Sequence, residues 1–212
     1  MFGYSVVLAA SSCDLRLGLA ETGILASAPF AGVLFSFPWG YYADTSGRRR
    51  ALILSTGVGF IFAALSSFAG SWQFMLVAKL LGCSFSAASF THAMTLLGES
   101  TTSRHRSRFL FIMMSFNLAS EFFSFTLAYF VLSFKFNIPL PWLGITFRPW
   151  RLLTLILSLP LAIGAVLVFY LQESPKYLAN KGETVKALEV LKRIHRFNVG
   201  KKENFPVSYL YL

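Results

Sequence analysis

Long apolar runs separated by short polar segments dominate the chain. A membrane-spanning helix needs about 20 mostly apolar residues, because each residue rises about 1.5 Å and the hydrocarbon layer is about 30 Å thick. Five runs meet this requirement. They predict transmembrane helices over residues 24–42, 51–69, 74–97, 109–132 and 152–171.

Residues 1–13 are also apolar, but this segment is too short to cross a bilayer alone. It lacks the basic start of a secretory signal peptide, so we interpret it as the outer end of a first, incomplete span. Residues 1–171 are therefore predicted to form an all-α, polytopic membrane domain of six helices.

Residues 172–212 are more polar and predict a helical segment outside the membrane. Ser174 is a suitable helix cap and Pro175 fits a first helical turn. A second helix is predicted from Glu183 to Phe197, with an apolar face formed by Val185, Leu188, Leu191 and Ile194. We expect this helix to pack on the membrane domain, and a partner-binding helix is the alternative.

The composition agrees with a membrane protein. Of 212 residues, 55% are hydrophobic and 13% charged, and the mean hydropathy is +0.60. Soluble domains average about 45–50% apolar and about 25% charged residues. The three histidines are not at metal-ligand spacing, and no phosphate-binding loop or nucleophile motif is present. We therefore predict no metal, no cofactor and no enzymatic activity.

The basic residues are distributed asymmetrically in a chain of net charge +10. One side of the predicted membrane carries Arg48–Arg50, the arginines at 104, 106 and 108, and eight Lys/Arg between 176 and 202. The other side carries Arg16, Lys135, Arg148 and Arg151. The positive-inside rule places the tail in the cytosol. This pattern indicates contact with membrane lipid and no nucleic-acid partner, and it leaves plasma membrane and intracellular vesicle open.

Lys79 and Glu121 are the charged residues well inside the complete predicted spans. A charge inside a bilayer is costly, so each is a functional hypothesis. Lys79 lies in the outer half of its span and Glu121 near the middle of the next one. Two interpretations remain open: a structural ion pair, or a substrate or proton site for which the Glu121 carboxylate is the better candidate.

The second cytosolic turn fits the pattern G-x-x-x-D-x-x-G-R-R-x, from Gly40 to Arg50. Gly40 would let a neighbouring helix approach closely. Asp44 is placed to pair with a basic side chain, and Gly47 permits a tight turn. Arg48 and Arg49 would anchor the next span at the headgroups.

This pattern resembles the loop signature of the major facilitator superfamily. The segment after the last span looks like the P-E-S-P-R-W-L element of sugar porters and organic ion transporters, with Gln172 replacing the first Pro; it reads Glu173-Ser174-Pro175-Lys176-Tyr177-Leu178. Further similarity to synaptic vesicle glycoprotein 2-like proteins lies in Ser12–Leu15, Trp39–Asp44, Trp150-Arg151 and Ala187–Lys201.

The resemblance covers essentially the whole chain and implies the amino-terminal half of a twelve-span protein. It implies a gating role for the loop signature Gly40, Asp44, Gly47, Arg48 and Arg49, and a charge relay that includes Glu99, Arg104 and Glu173. The chain departs from the family at Lys79, where Arg is usual, and at Leu96, where the family has Tyr three residues before Glu99.

Two functions follow as hypotheses. The first is secondary transport of a small organic solute, an organic ion or a sugar-like molecule, by alternating access. The chain would then need the missing carboxyl-terminal six-helix half or a second copy to close a cavity. The alternative is a vesicle-membrane regulatory or binding protein that has a transporter-like fold and does not transport.

Overall fold

The computed structural model describes residues 3–199. Helices α1 to α7 follow one another along the chain as Tyr4–Ser11, Leu19–Leu34, Phe37–Ser46, Arg48–Leu65, Trp72–Ser100, Ser103–Ser133 and Pro149–Val168. Two shorter helices complete the described chain, α8 from Pro175 to Asn180 and α9 from Thr184 to Val199. The predicted tail residues 200–212 lie outside the described residues.

Five helical stretches of residues 3–199 are long and apolar enough to cross a membrane, and they are Leu19–Ser46, Arg48–Phe68, Trp72–Ser100, Ser103–Leu132 and Pro149–Val168. Each overlaps one of the five predicted runs. All five begin before the predicted run, and Leu19–Ser46 and Trp72–Ser100 also end after it, because backbone hydrogen bonding continues a helix beyond its apolar part. α1 has eight residues, about 12 Å of helix, which is too short to span the hydrocarbon layer.

The ends of α7 differ from the predicted run 152–171. The helix begins at Pro149, because proline fits the first turn, where its missing N–H costs no hydrogen bond. It ends at Val168, where the Arg49 side chain donates hydrogen bonds to the carbonyl oxygens of Val168 and Phe169. Residues 169–171 form a turn, in which each backbone nitrogen donates to the carbonyl oxygen three residues earlier.

The chain alternates between two ends of the bundle. We call the end that holds the loop after α1, the α4–α5 turn and the α6–α7 connection the Asp14 side. The opposite end is the tail side, which holds the α3–α4 turn, the α5–α6 turn, α8 and α9. A short antiparallel hairpin lies between α6 and α7 on the Asp14 side, with β1 (Ile138–Leu140) paired to β2 (Ile145–Phe147).

Helix α5 packs closely between α2 and α4. A Cβ atom added at Gly32 of α2 would lie 2.8 Å from the Leu80 carbonyl oxygen, and one added at Gly82 would lie 3.4 Å from the Ala63 nitrogen of α4. Glycines at these contacts let the backbones approach, as small residues do in membrane bundles. The main core lies toward the Asp14 side and includes Val7, Leu25, Met75, Trp150 and Leu153.

Helix α6 is the least covered of the five long helices. Its exposed side chains are mostly large and apolar, and they include Phe111, Phe116, Leu118, Phe122, Phe123 and Tyr129. A soluble protein rarely exposes so large an apolar area. The surface suits lipid or another apolar helix.

Helices α8 and α9 pack against each other through Leu178, Ala187 and Val190. The predicted apolar face is wrong at Val185, which is 72% exposed. Successive helical residues are about 100° apart, so Val185 lies about 200° from Ala187 and points away from α8. Ile194 packs partly against this cluster, as the prediction requires.

Candidate functional site

The α3–α4 turn on the tail side consists of a single linking residue. α3 ends at Ser46 and α4 begins at Arg48, so Gly47 alone reverses the chain. Its φ is +106° and its ψ is 147°, a conformation that side-chain-bearing residues rarely adopt. A Cβ atom here would lie 2.5 Å from Glu173 Oε2 and 3.2 Å from Tyr177 Cε1. Gly47 therefore provides both the turn and the space for Glu173.

Arg48 links three segments of the chain. It forms an ion pair with Asp44 on the preceding helix, and its guanidinium lies 3.5 Å from Glu99 Oε1 at the end of α5. The other Glu99 oxygen accepts a 2.6 Å hydrogen bond from the Ser174 hydroxyl. The Arg48 and Glu99 side chains are 17% and 16% exposed, whereas that of Asp44 is 63% exposed. Water thus screens the Asp44 end of this chain of contacts most strongly.

Glu173 sits where two helices begin. Its Oε1 accepts hydrogen bonds from the backbone nitrogens of Arg49, at 2.9 Å, and of Ser174, at 3.0 Å. These groups open α4 and cap α8, and helix N-termini favour negative charge. The Arg49 guanidinium meanwhile donates to the last carbonyls of α7, with 2.7 Å to the Phe169 oxygen. Helix C-termini favour positive charge, so both contacts are electrostatically well matched.

Helix α8 is held on this turn by its own contacts. The Ser174 hydroxyl accepts from the Tyr177 nitrogen, and the Tyr177 hydroxyl donates to the Thr45 carbonyl oxygen at 3.0 Å. We call the connected set the tail-side network, and it comprises Asp44, Arg48, Arg49, Glu99, Glu173 and Ser174. It joins the α3–α4 turn to the ends of α5 and α7 and the start of α8.

Two residues of the predicted loop and relay lie apart from this network. Arg104 is exposed in the first turn of α6, and its side chain forms no ion pair within the part of the chain that the structure describes. Arg48, rather than Arg104, forms the ion pair with the Glu99 carboxylate. A Cβ atom added at Gly40 would meet nothing within 4 Å, so the expected close helix approach at Gly40 is wrong for residues 3–199. That role falls to Gly32 and Gly82.

Lys79 and Glu121 point in different directions. Lys79 faces into the bundle, where its Nζ lies 5.2 Å from the centre of the Tyr4 ring. It lines a cavity of about 90 Å³ between α1, α4, α5 and α7. Glu121 is exposed on α6 and does not line this cavity. The two side chains form no ion pair in the described residues, because α6 turns Glu121 away from α5.

Sequence reasoning missed a second cluster, on the Asp14 side. Asp14 Oδ2 accepts from the Trp150 indole at 3.0 Å and from the Arg151 guanidinium at 3.1 Å, and Arg148 lies 3.1 Å from Oδ1. Arg151 is buried and also donates to the carbonyls of Ser67 and Ala69. The available signal was the family-like Asp14 and Trp150-Arg151, which stand 136 residues apart.

A larger, mostly apolar cavity of about 620 Å³ opens beside Glu173 on the tail side. Its lining comes from α4, α5 and α6, from residues 170–173 after α7 and from α9, and it includes Leu52, Leu96, Met113, Leu171 and Ile194. At the start of α9, the Lys186 ammonium lies 2.8 Å from Glu183. This hydrogen bond lowers the pKa of Glu183 and raises that of Lys186.

Metal-ligating side chains do not converge within residues 3–199. No group of three or more His, Cys, Asp or Glu there is placed to hold a metal ion.

Comparison with known proteins identifies the family. The model of the Major Facilitator Superfamily matches residues 1–208. The Synaptic vesicle 2-related protein of Xenopus laevis is 32% identical over 86% of this chain, and the mouse Synaptic vesicle glycoprotein 2C is 26% identical over 94%. The Putative transporter svop-1 of Caenorhabditis elegans is 28% identical over 92% of the chain. The predicted similarity to synaptic vesicle glycoprotein 2-like proteins is confirmed.

Solved structures show the same fold. The proton:xylose symporter XylE bound to 6-bromo-6-deoxy-D-glucose matches 91% of this chain with a TM-score of 0.74 at 18% identity. A partially occluded inward open form of XylE from E. coli matches with a TM-score of 0.72 at 19% identity. The predicted all-α, multi-pass membrane fold is confirmed.

The chain is shorter than the proteins it matches. It spans 31%, 28% and 35% of the three curated relatives and 45% and 52% of the two XylE chains. The chain thus spans about a third of the length of these relatives and about half of the XylE chains. The family match over residues 1–208, together with the shared fold, shows that this chain belongs to the major facilitator superfamily.

Proposed function

We propose that the chain is the amino-terminal half of a secondary transporter that moves a small organic solute, an organic ion or a sugar-like molecule, by alternating access. Family membership and the fold shared with a symporter support a transport role. In such carriers two six-helix halves rock around a site near the bilayer midplane.

The tail-side network is the observation that carries this proposal. It ties the α3–α4 turn to the ends of α5 and α7 through Arg48, Arg49, Glu99 and Glu173. A carrier that opens alternately to each side needs contacts that favour one state over the other. Asp44 is the exposed end of the network, so we assign it the gating contact.

Replacing Asp44 with Asn tests this assignment. The substitution keeps the size of the side chain but removes the charge that pairs with Arg48. We expect slower uptake by the full-length protein in proteoliposomes, with expression unchanged. Glu189→Gln is a matched control, because Glu189 is exposed on α9 and lies outside the network. Unchanged uptake in the Asp44→Asn protein would remove Asp44 from gating.

The exposed apolar face of α6 supports a further part of the proposal, that a second body covers it. We assign that face to the carboxyl-terminal six-helix half or to a second copy of this chain, with membrane lipid on the remaining surface. Crosslinking through a single cysteine introduced at Phe122, with the two native cysteines replaced, tests the second-copy form. A crosslinked dimer from the 212-residue chain in membranes is the expected product for a second copy.

We further propose that the tail side faces the cytosol, in either the plasma membrane or a vesicle. The concentration of arginine and lysine on that side supports this orientation. An epitope after Lys176 is then expected to be digested by protease in permeabilised cells but protected in intact ones. Digestion in both preparations would reverse the orientation.

The competing proposal is a non-transporting vesicle-membrane protein that binds a partner. The exposed basic surface of α9 favours it, with Lys186, Lys192, Arg193 and Arg196 turned to solvent. If this proposal holds, neutralising these residues abolishes partner binding. If the protein is a transporter instead, the same substitutions leave uptake unchanged. Robust uptake of any solute by the reconstituted protein contradicts this second proposal.

A further inference from the structure

Lys79 presents a positive charge to the cavity between α1, α4, α5 and α7 without a carboxylate to balance it. None of the acidic side chains within 3–199 lies in this cavity. Asp14 pairs with arginines, Asp44 and Glu99 pair with Arg48, and Glu173 binds backbone nitrogens. The remaining ones, Glu21, Glu121, Glu183 and Glu189, do not line the cavity. A charge inside a membrane protein is normally paired.

The other polar groups of the cavity differ in what they have left to offer. Tyr4 donates its hydroxyl hydrogen to the Leu25 carbonyl oxygen, Thr154 donates to that of Trp150 and Ser158 to that of Leu155. Ser86 lines the same cavity, and its carbonyl oxygen accepts from the Ser89 hydroxyl, whereas its own hydroxyl makes no hydrogen bond among the described residues. The free nitrogen and oxygen donors of the cavity within residues 3–199 are thus the Lys79 ammonium and the Ser86 hydroxyl, beside the Cys83 thiol, which is a weak donor.

The position of these two donors suits a bound solute. Ser86 is at the midpoint of α5, and Lys79 is seven residues earlier, about 10 Å along the helix axis on the same face. The cavity volume of about 90 Å³ exceeds the roughly 10–15 Å³ that one water needs. It is smaller than the cavity of about 150 Å³ that admits benzene. A cavity of this volume therefore admits a compact solute that is larger than water and smaller than benzene.

We propose that this cavity binds the carboxylate of a small hydroxy acid, with the carboxylate on Lys79 and the hydroxyl toward Ser86. The inference rests on the proposed transport function, because it names the class of the transported solute. A carboxylate supplies the missing counter-charge and accepts a charge-assisted hydrogen bond from the ammonium. A neutral polyol would leave the Lys79 charge unbalanced.

Equilibrium binding of radiolabelled L-lactate to the purified 212-residue chain in lipid nanodiscs tests the proposal. Lactamide is the uncharged competitor of nearly the same shape, and D-xylose is the neutral polyol competitor. We expect unlabelled lactate, but neither neutral compound, to displace the label. Displacement by lactamide or xylose as effective as by lactate, or no binding, would overturn the inference.

Variants make the site itself testable. Lys79→Gln is expected to weaken lactate binding about 10- to 100-fold, as for the loss of a hydrogen bond to a charged group, and Ser86→Ala a few-fold. Lys135→Gln, an exposed lysine on the Asp14 side, is the matched control and should bind like the parent chain. The Ser86→Ala result decides the question if Lys79→Gln does not fold. Lactate affinity that neither substitution changes places the ligand elsewhere and refutes the site.

Failure of this inference is distinguishable from failure of the proposed function. If the proteoliposomes take up some other solute but the chain does not bind lactate, only the carboxylate site is refuted. Lactate binding that depends on Lys79, without uptake of any solute, supports the site and refutes transport.

Discussion

Substitution of Gly47 by alanine tests whether the α3–α4 turn and the tail-side network form one unit. The added Cβ atom meets two obstacles at once. The backbone holds φ at +106°, and the new atom would lie 2.5 Å from Glu173 Oε2. Either the turn opens or the Glu173 carboxylate moves.

The expected loss of stability follows from these two terms. A residue with a side chain in this backbone region costs about 1–3 kcal/mol. Displacing Glu173 also weakens its hydrogen bonds to the backbone nitrogens of Arg49 and Ser174, each worth about 1.5–3 kcal/mol for a charged acceptor. Because these terms are not additive, we expect a loss of at least about 2 kcal/mol.

Thermal unfolding in nanodiscs measures this loss, since about 1 kcal/mol corresponds to roughly 2–4 °C for a chain of this size. Gly40→Ala is the matched control from the same motif. Its added Cβ atom meets nothing within 4 Å inside α3, and alanine in a helix is favoured over glycine by about 0.5–1 kcal/mol. A Gly47→Ala protein as stable as the Gly40→Ala protein would refute the reasoning.

Four further substitutions probe ion pairs and helix-end contacts at the two ends of the bundle. Arg49→Lys keeps the charge but loses the forked donors that reach the α7 carbonyls, so we expect a loss of about 1 kcal/mol in thermal unfolding. Arg151→Ala removes a buried guanidinium and should lower the free energy of unfolding by about 3–5 kcal/mol. Arg148→Ala, at a side chain that is 42% exposed, should lower it by about 1 kcal/mol or less. Equal losses would contradict the argument that burial makes Arg151 the more important partner of Asp14. The pKa of Glu183 is lowered by Lys186, so its contribution is present above the ordinary glutamate value and is lost as the pH falls through the lowered one. A carboxyl titration by NMR should show this shift and its loss in Lys186→Gln.

The helices were predictable because hydrophobic length is a local property. A run such as 74–97 has to be long and apolar to cross a bilayer, and such runs are visible without any tertiary information. The helix ends were less predictable. The carbonyl oxygen at the end of α7, that of Val168, accepts from Arg49, which stands 119 residues earlier. No local pattern around residue 168 contains that information.

Most members of the tail-side network were predictable from the sequence, but their pairings were not. The loop motif and Glu173 were identified from resemblance, yet Arg48 joins Glu99 across 51 residues and Arg49 joins Glu173 across 124. Arg104, equally basic and near the same carboxylate in sequence, stays outside the network. Which arginine pairs with Glu99 depends on where α4, α5 and α6 begin and end, and this is set by packing.

Exposure divides the tail-side network into two parts with different roles. Arg48 and Glu99 are mostly covered, and together with Glu173 they join helices of this same chain. These contacts therefore stabilise the packing of the six-helix half. Within residues 3–199, Asp44 joins the network through its ion pair with Arg48 alone and is largely open to solvent, so breaking that pair leaves the other contacts intact. A contact that can break without unfolding the bundle is the kind that a conformational cycle requires. The slower uptake expected of Asp44→Asn should therefore come with little loss of stability, whereas substitutions at Glu99 or Gly47 should lower stability first.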